Sequence, residues 1–184
     1  MKIIETGLPG LLVIEPRVFE DDRGYFFESY HLGRYAEKGM KQPFIQDNES
    51  KSVKGVVRGL HYQLGDLAQA KLVRVVQGSV YDVAVDLRKG SPTFGKWYGV
   101  EINENNKKQL FIPRGFAHGF SVLSETAIFT YKCDNVYDKS AERSINPFDV
   151  KLAIDWKVGK KRAIVSEKDL VAPLFDEAEM NFKF

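Results

Sequence analysis

The run Val80-Tyr81-Asp82-Val83-Ala84-Val85-Asp86-Leu87 decides the fold class. Tyr81, Val83, Val85 and Leu87 take one side of an extended chain while Val80, Asp82, Ala84 and Asp86 take the other, so the period is two and the element is a strand. Further strand-like runs, separated by Gly, Pro, Asn or Asp, occupy Leu11 to Val18, Gly24 to Tyr30, Val56 to Tyr62, Lys71 to Gln77, Trp97 to Ile102, Gln109 to Ile112, Ala117 to Leu123 and Thr126 to Tyr131. So many short strands predict an all-β sandwich or barrel. Helix is sparse. One is predicted near Leu32 to Lys38, stopped by Gly39, and a second opens at Ser166, where Ser166-Glu167-Lys168-Asp169 resembles a capping box ahead of Pro173. The tail after Leu174 is read as a last short helix. Small barrels are normally filled by apolar side chains, so a polar stripe inside the strands points to a lumen that holds a polar ligand.

Length and composition narrow the function. A chain of 184 residues with 43% hydrophobic side chains is read as one domain over 1–184 with a substantial core. With 27 Lys and Arg against 25 Asp and Glu, the formal charge of +2 is too balanced for coating nucleic acid or an anionic membrane. No apolar run approaches the roughly 20 residues that cross a bilayer, and the N-terminus lacks the apolar core of a secretory signal, so a cytoplasmic location is expected. The single cysteine, Cys133, cannot form an intrachain disulfide and reads as a small hydrophobe in or beside a strand. The cluster Lys151, Lys157, Lys160, Lys161 and Arg162 reads as solvated surface.

Several residues could do chemistry, and each also has an ordinary structural reading. His61 lies in Arg58-Gly59-Leu60-His61-Tyr62-Gln63; strict alternation turns Arg58 away from it, whereas a bulge at Gly59 would bring both to one side. His118 follows the turn Pro113-Arg114-Gly115 at the start of a strand. Tyr131 shares a face with Ala127 and Phe129, and Lys71 shares one with Val73 and Val75, where a lysine is costly unless it is paired or functional. Asp169 could simply cap its helix. The three histidines, His31, His61 and His118, show no metal-binding spacing, and no phosphate loop, dinucleotide fingerprint or serine elbow is present.

Eight ordered segments carry a more specific signal: Asp22 to Glu28, Gln46 to Ser50, Arg58 to Gln63, Ala70 to Val75, Asp82 to Arg88, Pro113 to Phe120, Tyr131-Lys132 and Ser166 to Asp169. In these segments and their spacing the chain resembles the dTDP-4-dehydrorhamnose 3,5-epimerases, a family of cupin-fold sugar-nucleotide enzymes, over nearly its whole length. The resemblance implies a cupin-like jelly-roll β-barrel with a few short peripheral helices. It implies epimerisation of dTDP-4-dehydro-6-deoxy-glucose at carbons 3 and 5 through an enolate, a step of dTDP-rhamnose biosynthesis that needs neither cofactor nor metal.

By the same resemblance His61 is the general base, Asp169 orients its ring, Tyr131 delivers the proton from the opposite face, and Lys71 stabilises charge on the carbonyl oxygen. His118 contacts the sugar; Arg23, Glu28, Gln46, Asn48, Arg58, Glu142 and Lys168 contact the substrate; Phe26 and Tyr137 give aromatic surfaces near the thymidine. The family pattern also implies a homodimer in which Arg23 to Glu28 complete the neighbouring site. Two stretches depart from it, Leu64-Gly65-Asp66-Leu67 and Asn146-Pro147-Phe148, which leaves sugar preference open. A single-position epimerase, a cupin ketoisomerase and a non-catalytic sugar-nucleotide binder are the alternatives.

Overall fold

The computed structural model describes residues 1–184. Its strands are β1 (Lys2–Glu5), β2 (Leu12–Glu15), β3 (Val18–Asp21), β4 (Gly24–Phe27), β5 (Gln46–Val53), β6 (Val57–Gln63), β7 (Lys71–Gln77), β8 (Ser79–Asp86), β9 (Trp97–Asn103), β10 (Gln109–Ile112), β11 (Phe116–Val122), β12 (Thr126–Cys133) and β13 (Glu142–Ser144). Two short helices, α1 (Leu32–Ala36) and α2 (Glu167–Leu170), lie outside them. A six-stranded sheet in the order β1-β2-β10-β7-β12-β5 faces a five-stranded sheet in the order β13-β6-β11-β8-β9. This is the jelly-roll sandwich of the cupins; the two sheets stack without a hydrogen-bonded ladder closing them into one barrel. No helix is long and apolar enough to cross a membrane.

Alternation assigns the faces of most strands. Val80, Ala84, Val73, Val75, Phe116, Phe120, Ala127 and Phe129 meet between the sheets, with Phe120 of β11 stacked on Phe129 of β12 at 4.3 Å between centroids. The opposite faces of β6, β8 and β11 carry Val57, Leu60, Tyr62, Val83, Val85, Leu87 and Ala117, covered by Ile145, Leu152, Trp156 and Phe175 from the C-terminal part of the chain. Both faces of the Val80 to Leu87 run are therefore buried. The face bearing Asp82 and Asp86 is the interior one, and the apolar face is the one capped by later segments. Behind the six-stranded sheet, Ile14 and Leu72 pack on Tyr35 of α1 and Met40.

Two expectations need correction, and strands β1, β5 and β13 were not anticipated. Leu11 to Val18 is not one strand: β2 stops at Glu15 and β3 begins at Val18, because Pro16 lacks the N–H that a ladder requires. β5 and β13 were hidden by their polarity: Gln-Asp-Asn-Glu-Ser-Lys-Ser has no apolar alternation because one face lines the lumen and the other meets solvent. β1 is a short edge strand. The tail after Leu174 makes one turn, in which the N–H groups of Glu177 and Ala178 both return to the Leu174 carbonyl, and then runs extended. There Met180 and Phe182, two residues apart, lie on the apolar outer face, which a helix could not arrange. Of the expected capping box the N-cap half forms, Ser166 Oγ accepting from the Asp169 N–H, while the Asp169 carboxylate turns to Gly59 and His61. His31 caps α1 through its ring nitrogen.

Candidate active site

The interior end of the sandwich gathers the chemistry. On β6, Val57, Leu60 and Tyr62 all point outward, so the alternation slips once between them and both Arg58 and His61 point inward. The slip lies at Gly59, where φ is +133° and a Cβ would stand 2.6 Å from Gly119 Cα and 3.0 Å from the His118 carbonyl oxygen. Only glycine fits there, and the register between β6 and β11 shifts at this point. Strict alternation, which turned Arg58 away, therefore fails here: the irregularity that Gly59 permits brings Arg58 and His61 to one side. Arg58 donates from Nε to the buried Ser52 Oγ at 3.0 Å.

His61 pairs in register with His118 on β11, and its Nε2 lies 2.7 Å from Asp169 Oδ1 on α2. Asp169 is buried and also receives the Gly59 N–H at 3.5 Å. Burial raises the Asp169 pKa, but the bond and charge of His61, with the Gly59 and Ser166 contacts, outweigh it and hold the carboxyl below its usual range. An ionised Asp169 can only accept, so the Nε2–H of His61 donates and Nδ1 keeps its lone pair. The His61 side chain is 33% exposed, open enough to meet a ligand.

The facing sheet supplies the partners. Tyr131 follows Ala127 and Phe129 on the inner face of β12 and packs against the core between the sheets. Burial pushes its hydroxyl pKa up, against a pull from Arg58, so the phenol stays protonated at neutral pH. Lys71 is the register partner of Cys133 and lies with its ammonium 5.8 Å from the centre of the Tyr131 ring. It is half-buried and its ammonium has no salt-bridge partner; burial lowers its pKa, while Cys133, Asp82 and Glu142 oppose the shift. An unpaired inward lysine is costly for folding and suited to stabilising an anion.

Around the mouth, Asn48 pairs with Tyr131 and Gln46 with Cys133, so both face inward. Gln46 donates to Asn48 Oδ1 at 3.0 Å and accepts the Tyr137 N–H at 2.8 Å. Glu142 on β13 binds Lys168 Nζ at 2.5 Å and the Tyr137 hydroxyl at 3.1 Å. Burial raises the Glu142 pKa, yet these two bonds leave it lowered. Deeper in, His118 Nε2 lies 3.1 and 3.0 Å from the two oxygens of Asp82, which is wholly buried.

Three predicted residues are not brought into this lumen. Arg23, at the β3–β4 turn, is 89% exposed and pairs with Asp21; Phe26 is 70% exposed; Glu28 pairs with Arg34 at 2.9 Å. Their hairpin lies behind the six-stranded sheet, where Arg74 sits 5.6 Å from the Phe27 ring. Of the two departing stretches, Leu64 to Leu67 closes as a single turn of 3-10 helix. Asn146 does not touch His61, Tyr131 or Lys71, but its side chain holds the Leu170 carbonyl at 2.8 Å, next to Asp169. Sequence reasoning missed Ser52 and Asp82 as partners of Arg58 and His118; the inward carboxylate in the Val80 to Leu87 run was the available signal for Asp82.

Residues 5–177 match the family model described as dTDP-4-dehydrorhamnose 3,5-epimerase. The chain belongs to this family. It is 52% identical over 180 residues to the dTDP-4-dehydrorhamnose 3,5-epimerase of Shigella flexneri, covering 97% of this chain and 98% of that one. The crystal structure of the Elizabethkingia anophelis dTDP-4-dehydrorhamnose 3,5-epimerase superposes with a TM-score of 0.93 at 55% identity, over 96% of this chain and 97% of the other. The dTDP-6-deoxy-D-glucose-3,5-epimerase of Legionella pneumophila, solved in complex with dTDP-4-keto-L-rhamnose, superposes at 0.95 with 48% identity, over 100% and 98%.

Proposed function

We propose that this chain epimerises dTDP-4-dehydro-6-deoxy-glucose at carbons 3 and 5, in dTDP-rhamnose biosynthesis, by proton transfer through an enolate. The observation that carries the reading is that His61 on one sheet, paired with Asp169 of α2, stands across from Tyr131 and Lys71 on the inner face of the other sheet. The 4-ketone acidifies the hydrogen on each flanking carbon. His61 Nδ1 takes that proton, and Asp169 stabilises the imidazolium that forms. The electron pair moves onto the carbonyl oxygen, where the Lys71 ammonium meets the charge. Tyr131 returns a proton to the opposite face, inverting the carbon, and solvent then resets the pair. Arg58 and the Gln46–Asn48 wall suit the nucleoside diphosphate, arginine through its fork of donors.

The exposed Arg23, Phe26 and Glu28 are assigned to the neighbouring site of a homodimer, and the enzyme is assigned to the cytoplasm. Mixing inactive His61→Ala and Arg23→Ala chains tests the sharing: heterodimers rebuild one intact site, so about a quarter of wild-type activity should return if subunits exchange freely. No recovery in verified heterodimers would place Arg23 in its own subunit's site. For the reaction, turnover in heavy water should put deuterium at both C3 and C5 of the sugar, read by NMR. Label at one carbon makes the enzyme a mono-epimerase, a shifted carbonyl makes it a ketoisomerase, and binding without exchange makes it a binder.

A further inference from the structure

The second buried histidine–carboxylate contact, His118 with Asp82, has a geometry that the chemistry above does not use. Asp82 has no exposure and its carboxylate has one hydrogen-bonding partner, His118 Nε2, at 3.0 and 3.1 Å from its two oxygens. Near-equal distances place one ring N–H between both oxygens, the arrangement of a carboxylate accepting a bifurcated bond from Nε2–H. The ring lies nearly parallel to Phe129, 6.0 Å between centroids and 20° between planes, so the aromatic neighbour favours this ring orientation. Nδ1 makes no hydrogen bond to the protein and is not among the buried unpartnered atoms, which leaves it open to the lumen. His61, its register neighbour, is also engaged through Nε2, on a single oxygen of Asp169.

We propose that Asp82 is a positioning residue for the epimerisation, fixing His118 with its proton on Nε2 and its Nδ1 lone pair presented to a sugar hydroxyl. The inference rests on the function proposed above for its substrate, but its geometry does not. Burial pushes the His118 pKa down, which keeps Nδ1 an acceptor. Burial raises the Asp82 pKa, and His118 and the nearby Lys71 only partly offset that rise, so removing the carboxyl disturbs both neighbouring groups.

The test is a long-range ¹H–¹⁵N spectrum of the ligand-free protein, whose three histidines can be assigned with His118→Gln. His118 should show a protonated Nε2 and a bare Nδ1. In Asp82→Asn that pattern should become a mixture, kcat should fall about 10- to 100-fold, and KM and dTDP affinity should stay within about twofold, the range of lost orienting contacts at other sites. A wild-type His118 protonated on Nδ1, or a folded Asp82→Asn with wild-type kcat, overturns the proposal. If Asp82→Asn does not fold, the wild-type spectrum decides alone. A wild-type protein with no epimerase activity would sink the function while leaving the ring assignment standing.

Discussion

Replacing Asp169 with Asn keeps shape and size and changes one oxygen into a donor, so its outcome depends on which way the amide turns. Asp169 Oδ2 faces the Gly59 N–H at 3.5 Å and Oδ1 faces His61 Nε2 at 2.7 Å. An amide nitrogen beside Gly59 would set donor against donor. With the nitrogen turned to His61, both contacts are satisfied, but the ring must then carry its proton on Nδ1. That nitrogen is the proposed base, and a general base contributes about 10²–10⁴ in rate, so kcat should fall by that range. If the amide oxygen faced the ring instead, only the charge assistance would go, about 1–2 kcal/mol or roughly 5- to 30-fold. The assay is deuterium incorporation from heavy water, with dTDP affinity by calorimetry as the control that the site is intact. A variant within threefold of wild type would refute the assignment of Asp169 as the group that sets the tautomer. The carboxyl also bears on acid stability. Its pKa is lowered by folding, so its contribution is complete above the unfolded value near 4 and is lost as pH falls through the folded value. Asp169→Asn should flatten that part of the acid limb.

Lys71→Met keeps the stem and removes the cation, and kcat should drop about 10²–10³-fold while the protein gains thermal stability, because a buried unpaired charge is gone; unchanged kcat in single-turnover assays would remove Lys71 from the chemistry. Tyr131→Phe should still wash deuterium into the substrate with retention, since His61 is intact, yet invert it at least about 10²-fold more slowly; equal loss of exchange and inversion would contradict a donor role on the far face. Gly59→Ala combines strain at φ +133° with a Cβ 2.6 Å from Gly119 Cα, about 2–6 kcal/mol together, and should lower Tm by several degrees or more; a Tm within a degree of wild type would mean the β6–β11 approach is looser than described.

What could be read from the chain follows physical period. Strands with one apolar face, such as Lys71 to Gln77 and Thr126 to Cys133, announced themselves and carried Lys71 and Tyr131 to a predictable face. β5 could not be read this way, because Gln46 and Asn48 line the lumen while Asp47 and Glu49 meet solvent, and a strand polar on both sides looks like a loop. Alternation also failed at Gly59, where one glycine shifts Arg58 onto the face of His61; the sequence marks the position but not the slip. The pairing of His61 with Asp169 spans 108 residues. No local pattern reports such a contact, and it was legible only through the family resemblance.

The stacked rings of Phe120 and Phe129 act as a gauge block between the two sheets. His61 and Tyr131 hang from opposite jaws, so the width of the gap between them is set by hydrocarbon and not by those two side chains. Widening that gap for bulkier hexoses therefore begins at Phe129 and the aliphatic residues beside it, with His61 and Tyr131 left untouched.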